Sequence, residues 1–104
     1  MMTEFQKEMA KKRLRWQKRE EERIGDVYAE CERRGCDRGF LKSINTRIEM
    51  YPIQQTRAFL SHKEWFMEYL SPWRIYLEVL IELRPNHEKH DEWVQSIKEM
   101  DKCL

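Results

Sequence analysis

Two of the three cysteines and two of the three histidines are candidate ligands of a zinc ion. Cys31 and Cys36 are followed about fifty residues later by His87 and His90, and together they could supply four zinc ligands. Structural zinc sites usually pair cysteines two to four residues apart, whereas Cys31 completes the apolar stripe of a predicted helix. We therefore interpret both cysteines as buried free thiols, and we expect no metal and no cofactor.

A glycine-containing turn, RRGCDRG at residues 33–39, is a candidate anion site. Its backbone N–H groups could bind a phosphate between guanidinium walls, which would come from Arg33, Arg34 and Arg38. The simpler interpretation is a solvated turn whose arginines pair with neighbouring carboxylates, namely Glu30, Glu32 and Asp37.

Catalytic motifs are not found in the sequence. It contains no glycine-rich phosphate loop, no nucleophile elbow and no metal-ligand helix. Three histidines and nineteen carboxylates can always be paired on paper, so their presence alone is not evidence of catalysis. We expect that the protein is not an enzyme.

A basic block, KKRLRWQKR at residues 11–19, places six positive charges around Trp16. Residues 1–19 carry seven Lys or Arg and two Glu, whereas residues 20–104 carry thirteen and seventeen Asp or Glu. Cations neutralise phosphates and an indole stacks on bases, so direct nucleic-acid binding is one interpretation. The three glutamates at residues 20–22 would repel the next phosphates.

Docking onto a larger protein is the favoured interpretation, because Trp and Arg are common anchors of interfaces and one helix would carry them all. The predicted partner-binding residues are Phe5, Met9, Lys11, Lys12, Arg13, Arg15, Trp16, Lys18 and Arg19. A secondary surface would comprise Arg33, Arg34, Arg38, Trp65 and Tyr69. The expected partner is a larger protein or a protein–nucleic acid complex.

Length and composition indicate one small helical domain. A chain of 104 residues builds one core, and three glycines and three prolines provide little for the turns of an all-β protein. We predict an all-α fold, a small bundle of four to five helices with a long, partly projecting basic N-terminal helix. The domain would span residues 1–104, with residues 1–23 as a projecting arm.

The N-terminal helix should begin at the cap Thr3 and end at Gly35. Its apolar stripe comprises Phe5, Met9, Trp16, Val27 and Cys31. Lys12, Arg13, Glu20 and Arg23 share the side of Phe5 and Trp16, so the first half cannot enter a dry core. We expect this half to project, with a bend near Gly25.

The densest apolar segment runs from Trp65 to Leu83, and its part from Trp73 to Leu83 should form the central helix. Its charged residues, Arg74, Glu78 and Glu82, fall within about 80° of the helix circumference. Ser71 and Pro72 would open this helix and Pro85 would close it. A strand is the alternative, because Ile75, Leu77, Val79, Ile81 and Leu83 also alternate.

Three further helices are predicted around the central one. One would follow the cap Asp37 and run from Phe40 to Tyr51. Another would start at Pro52 and contain a capping box at residues 61–64, and two short helices are the alternative for this segment. The last would begin at the cap Asn86, with an apolar stripe comprising His90, Trp93, Val94, Ile97, Met100 and Leu104.

Localisation is predicted from two absences and the cysteines. The sequence has no apolar run of about 18 residues and no apolar signal core, so neither membrane insertion nor secretion is indicated. Three cysteines, an odd number, fit reduced thiols in the cytoplasm. In style the chain resembles the small accessory proteins with which bacteriophages block or redirect host enzymes. That resemblance implies an inhibitor or modulator of a host nucleic-acid-processing enzyme.

Overall fold

The computed structural model of the chain describes residues 1–44 and 46–103. The described residues form α1 (Glu4–Arg33), α2 (Arg38–Ser43), a 3₁₀ helix (Thr46–Met50), α3 (Pro52–Ser61), α4 (Lys63–Leu83) and α5 (His90–Cys103). They include no strand, and 84% of the structure is helical. The predicted all-α bundle with a long N-terminal helix is confirmed.

Helix α4 is the central element of the bundle. It contacts α1, α3 and α5, and it contributes the largest set of core side chains: Leu70, Trp73, Tyr76, Leu77, Val79 and Leu80. Burial on several sides explains why its polar stripe is so narrow. The prediction of a helix rather than a strand for Trp73 to Leu83 is confirmed.

The predicted start of this central helix is wrong. Pro72 lies inside α4, which begins nine residues earlier at Lys63. An interior proline costs a helix about 3 kcal/mol. Leu70 and Trp73 are both buried beside it, so continuing the helix keeps one unbroken apolar face in the core. The backbone departs from helical angles at Phe66 instead, with φ −118° and ψ 18°.

Both predicted ends of α1 are confirmed. Thr3 Oγ1 accepts a hydrogen bond from the Gln6 backbone N–H at 3.1 Å, and the Gln6 side chain accepts one from the Thr3 N–H at 2.9 Å. The helix ends at Arg33, and Gly35 takes the positive φ of 101° that suits glycine. The predicted bend occurs at Ile24, beside Gly25, where φ is −136° and ψ is 15°.

Three other predicted boundaries need correction. The segment from Phe40 to Tyr51 is not one helix but α2 followed by the 3₁₀ helix. The predicted capping box at residues 61–64 is not formed, because the Ser61 hydroxyl donates to the Arg57 carbonyl within its own helix, at 2.8 Å. Asn86 does not cap the last helix, since residues 84–89 form turns and α5 begins at His90.

Helix α5 covers the side of the core formed by α3 and α4. Trp93 and Met100 of its predicted stripe are buried, and Val94 and Ile97 are partly buried. Leu104, the last residue of that stripe, lies outside the described residues. The indole N–H of Trp93 donates to the backbone carbonyl of Glu49 at 2.8 Å, which connects α5 to the 3₁₀ helix.

Candidate docking site

The first half of α1, residues 4–19, is exposed along its whole length, and we name it the arm. Ala10 is its only partly covered residue. Phe5 is 73% exposed, and Trp16 is 45% exposed. The arm's capping box therefore stabilises a helix that gains little from tertiary packing.

The arm's side chains separate into two faces. At 100° per residue, Phe5, Met9 and Trp16 fall within an arc of about 40°. Three cations flank this apolar stripe and form the front face with it: Lys12, Arg13 and Arg19. Three others lie on the back face around the exposed Leu14: Lys11, Arg15 and Lys18.

None of these six cations has a carboxylate partner among the described residues. The arm contains one ion pair, between Lys7 and Glu4 at 3.9 Å, and the Arg19 Nε donates only to the Arg15 carbonyl, at 3.4 Å. Elsewhere, each arginine with a described side chain pairs with Asp or Glu, a set comprising Arg23, Arg33, Arg34, Arg38, Arg57, Arg74 and Arg84. Among the arginines with described side chains, the three without a carboxylate partner, Arg13, Arg15 and Arg19, all lie on the arm.

A buried polar cluster anchors the base of the arm. Glu49, 2% exposed, accepts hydrogen bonds from the Arg23 guanidinium and from the Tyr76 hydroxyl, the latter at 2.9 Å. Arg23 also donates to Glu20 at 2.9 Å. Burial acts to lower the pKa of Arg23, but its hydrogen bonds to the two carboxylates raise it above the ordinary value. Arg23 therefore stays positively charged at the base of the arm, where α1 joins the rest of the bundle.

Sequence reasoning missed this cluster. The sequence pattern predicts that Glu20 and Arg23 help to keep the first half of α1 out of the core, yet Glu20 is buried. A signal was present, because Glu20 and Arg23 are spaced i,i+3 on the side of the apolar stripe, where a charge must find a partner. Glu49 gave no comparable signal, because its partners Arg23 and Tyr76 are 26 and 27 residues away in the sequence.

The arginine-rich turn is occupied by internal ion pairs. Arg33 and Arg34 both donate to Glu30, each from its Nε at 2.9 Å, and Arg34 also reaches Glu82. Hydrogen bonds from Arg33 and then Arg34 lower the pKa of Glu30 to about 2. Arg38 Nε lies 3.2 Å from a Glu32 oxygen. Asp37 instead caps α2, accepting from the Phe40 N–H at 3.3 Å.

The remaining predicted residues, Trp65 and Tyr69, lie together on the first half of α4, far along the sequence from the arm. Trp65 is 77% exposed, and Tyr69 is 40% exposed. The Tyr69 ring belongs to an aromatic cluster, stacking on Phe59 with centroids 6.2 Å apart and contacting Phe66 at 5.8 Å. With Glu64 and Glu68 beside them, these residues form what we call the acidic aromatic face.

The cysteines and histidines do not converge. Cys31 and Cys36 are buried in the core, and burial raises the pKa of Cys31 to about 12. His87 stacks on Trp93 at a centroid distance of 4.7 Å, and its Nδ1 accepts from the Lys89 N–H at 3.0 Å. Among the residues that the structure describes, no three His, Cys, Asp or Glu side chains are grouped so that they could hold a metal ion.

No described helix is both long enough and apolar enough to span a membrane. Comparison with protein-family models, with curated proteins and with solved structures found no match to this chain.

Proposed function

We propose that this protein is a non-enzymatic binding protein that docks the arm into a groove of a larger partner. The observation that carries the proposal is the combination of an exposed aromatic stripe with cations that have no carboxylate partner among the described residues. Buried Trp and Arg anchors dominate the binding energy of many interfaces. An arm that is already helical loses little conformational entropy when it docks.

The chemistry of the arm defines the groove that it fits. An apolar floor would receive Phe5, Met9 and Trp16, and acidic rims would receive Lys12, Arg13 and Arg19. Polymerases and nucleases use paired metal ions at their active sites, and Mg²⁺ is bound through carboxylates, so such a site carries acidic groups. By covering such a surface, the arm would inhibit or redirect a nucleic-acid-processing enzyme, as an accessory protein of a bacteriophage does to a host enzyme.

Direct nucleic-acid binding is the second candidate, favoured by one observation. The back-face cations Lys11, Arg15 and Lys18 also have no carboxylate partner among the described residues, so the arm is positive on both faces. A groove that holds the apolar stripe does not use the back face. A phosphate backbone, by contrast, attracts cations on every side of the helix.

The test is capture of partners from a cell lysate, with and without nuclease treatment, by the full chain and two variants. Trp16→Ala removes the central anchor, and Leu14→Ala is the matched control because Leu14 is also exposed but lies on the back face. We expect the full chain to capture a protein whether or not nuclease is added, and the Leu14→Ala variant to capture it equally well. The Trp16→Ala variant should bind that protein about thirtyfold more weakly, a loss of about 2 kcal/mol. Loss of all capture on nuclease treatment would support the second candidate.

A further inference from the structure

The acidic aromatic face offers what the arm lacks. The side chains of Glu64 and Glu68 have no hydrogen-bond or ion-pair partner among the described residues. Glu68 also lines a depression of about 360 Å³, together with Asp37, Pro72 and Ile75. The face thus presents exposed aromatic rings together with carboxylates that can receive cations.

The arm and the acidic aromatic face carry opposite charges, and each presents an exposed aromatic side chain. The arm belongs to residues 1–19, with a net charge of +5, and the face belongs to residues 20–104, with a net charge of −4. In each, charged side chains lie beside an exposed indole: Lys12, Arg13 and Arg19 flank Trp16, and Glu64 and Glu68 lie beside Trp65. Opposite potentials favour association, and cation–π contacts between Arg and Trp add to it when water is excluded.

Within one molecule the arm does not cover this face, because the side chains of both are exposed. Arg84, at the end of α4, donates to both carboxylate oxygens of Asp26 at 2.8 Å, so the end of α4 lies beside α1 just after the arm. Cys36 Sγ contacts the Pro72 carbonyl at 3.8 Å, so the first half of α4 lies near the other end of α1. The two helices are therefore antiparallel. The arm is about 24 Å long and begins beyond the Asp26–Arg84 contact, at the end of α1 opposite to Cys36, whereas the face lies on the first half of α4.

We propose that the acidic aromatic face binds the arm of a second copy of this chain. Two molecules arranged antiparallel about a two-fold axis place each arm at the level of the other molecule's face, so that both contacts form and the assembly closes as a dimer. In each contact the stripe around Trp16 covers Trp65 and Tyr69. The flanking cations Lys12, Arg13 and Arg19 meet the carboxylates of Asp37, Glu64 and Glu68 in the same contact.

The size of the contact predicts a weak dimer. Buried aromatic side chains cover about 150 to 250 Å² each, and these are already partly covered in one molecule. Two such contacts approach the lower end of specific interfaces, about 1,200 Å² in total. A weak dimer would shelter the arm and release it to a partner whose groove binds more tightly. This inference goes beyond the proposed function, because it concerns the purified protein alone.

The test is sedimentation velocity of the full chain over a range of concentrations at low and high salt, with charge-reversal variants. The face variant is E64K/E68K, and the arm variant is K12E/R13E/R19E. All five side chains are exposed. Helical circular dichroism and a melting curve establish that each variant folds. We expect the unaltered chain to dimerise at low salt and to dissociate at high salt, and each variant alone to be monomeric.

Mixing the two variants is the decisive measurement of this experiment. The reversed arm of one fits the reversed face of the other, and the two unaltered elements also match, so an equimolar mixture should regain the dimer. Three results would overturn the proposal: an unaltered chain that stays monomeric at low salt, a dimer that survives E64K/E68K, or a mixture that remains monomeric. Because no partner is present, any of these outcomes leaves the proposed docking function standing.

Discussion

Tyr76 donates its hydroxyl hydrogen to the buried carboxylate of Glu49 at 2.9 Å, across 27 residues of sequence. The other carboxylate oxygen accepts from Arg23, so both oxygens of Glu49 are satisfied by internal donors. This arrangement joins the base of the arm, the 3₁₀ helix and the central helix at one point. The base of the arm is thus held by a partly buried ion pair, whereas the arm's own side chains are exposed.

Removal of the Glu49 carboxylate should therefore destabilise the fold. Glu49→Ala removes the acceptor of the Tyr76 hydroxyl and one carboxylate acceptor of Arg23, and we expect a loss of about 2 to 3 kcal/mol. We expect this loss to be smaller than that for breaking a fully buried ion pair, because the Arg23 side chain is 42% exposed and regains water. Tyr76→Phe should cost about 1 to 2 kcal/mol. Urea unfolding measures both.

The surface pair in the arm is the control for this prediction. Lys7→Ala removes a 3.9 Å ion pair between exposed side chains and should change the free energy of unfolding by less than about 0.5 kcal/mol. Equal effects of Glu49→Ala and Lys7→Ala would show that the buried cluster does not stabilise the fold.

Acid should weaken the bundle through Glu30. Hydrogen bonds from Arg33 and Arg34 lower its pKa in the folded state to about 2, from an ordinary value of 4.5. A lowered pKa gives stability that is present above about pH 4.5 and is lost as pH falls towards 2. Melting temperature against pH should show this loss, with a smaller loss for Glu30→Gln. High salt should reduce the difference, because the pair is near the surface.

The three thiols should differ sharply in reactivity. Burial raises the pKa of Cys31 to about 12, and it also raises that of Cys36, so neither forms the reactive thiolate readily. Cys103 is exposed. Mass spectrometry after brief alkylation of native protein should find one modified cysteine, Cys103, and all three after unfolding. Chelator should leave this pattern unchanged. Rapid native labelling of Cys31 would contradict its place in the core.

Deletion of residues 1–19 should leave the bundle folded. The arm contributes exposed side chains, whereas Glu20, Arg23 and the buried residues that follow remain in the truncated chain. We expect the melting temperature to fall by only a few degrees, which corresponds to less than about 1 kcal/mol. Partner binding should be abolished. A truncated protein that unfolds would show that the arm is structural, and one that stays folded and binds as before would place the working surface elsewhere.

The sequence was sufficient where local chemistry determines the structure. Thr3, Gly35 and Asp37 act through contacts with residues three or four positions away, and their roles were predicted correctly. The apolar period of Trp73 to Leu83 likewise identified the central helix. These signals depend on the backbone and on the helical repeat, which any short window of the sequence displays.

The errors arose where tertiary contacts override local signals. Pro72 suggested a helix start, but burial of Leu70 and Trp73 on either side keeps the helix continuous. The Glu49 cluster joins residues that are 26 and 27 positions apart, and no local pattern indicates such a meeting. The arm's residues could be named from the sequence because their chemistry is local, and so could the pairing of Arg33, Arg34 and Arg38 with nearby glutamates. The long-range partners of Arg23, Arg57, Arg74 and Arg84 could not.

Binding of the captured partner to two charge-reversal variants tests the docking account most directly. The front variant K12E/R13E/R19E and the back variant K11E/R15E/K18E change the net charge equally, on opposite faces of the same helix. Docking of the stripe into an acidic groove predicts that the front variant weakens binding by more than about tenfold and the back variant by less than about threefold. Equal losses for both variants, with a salt slope that falls by about 0.9 for each lost phosphate contact, would contradict it and indicate nucleic acid as the direct ligand.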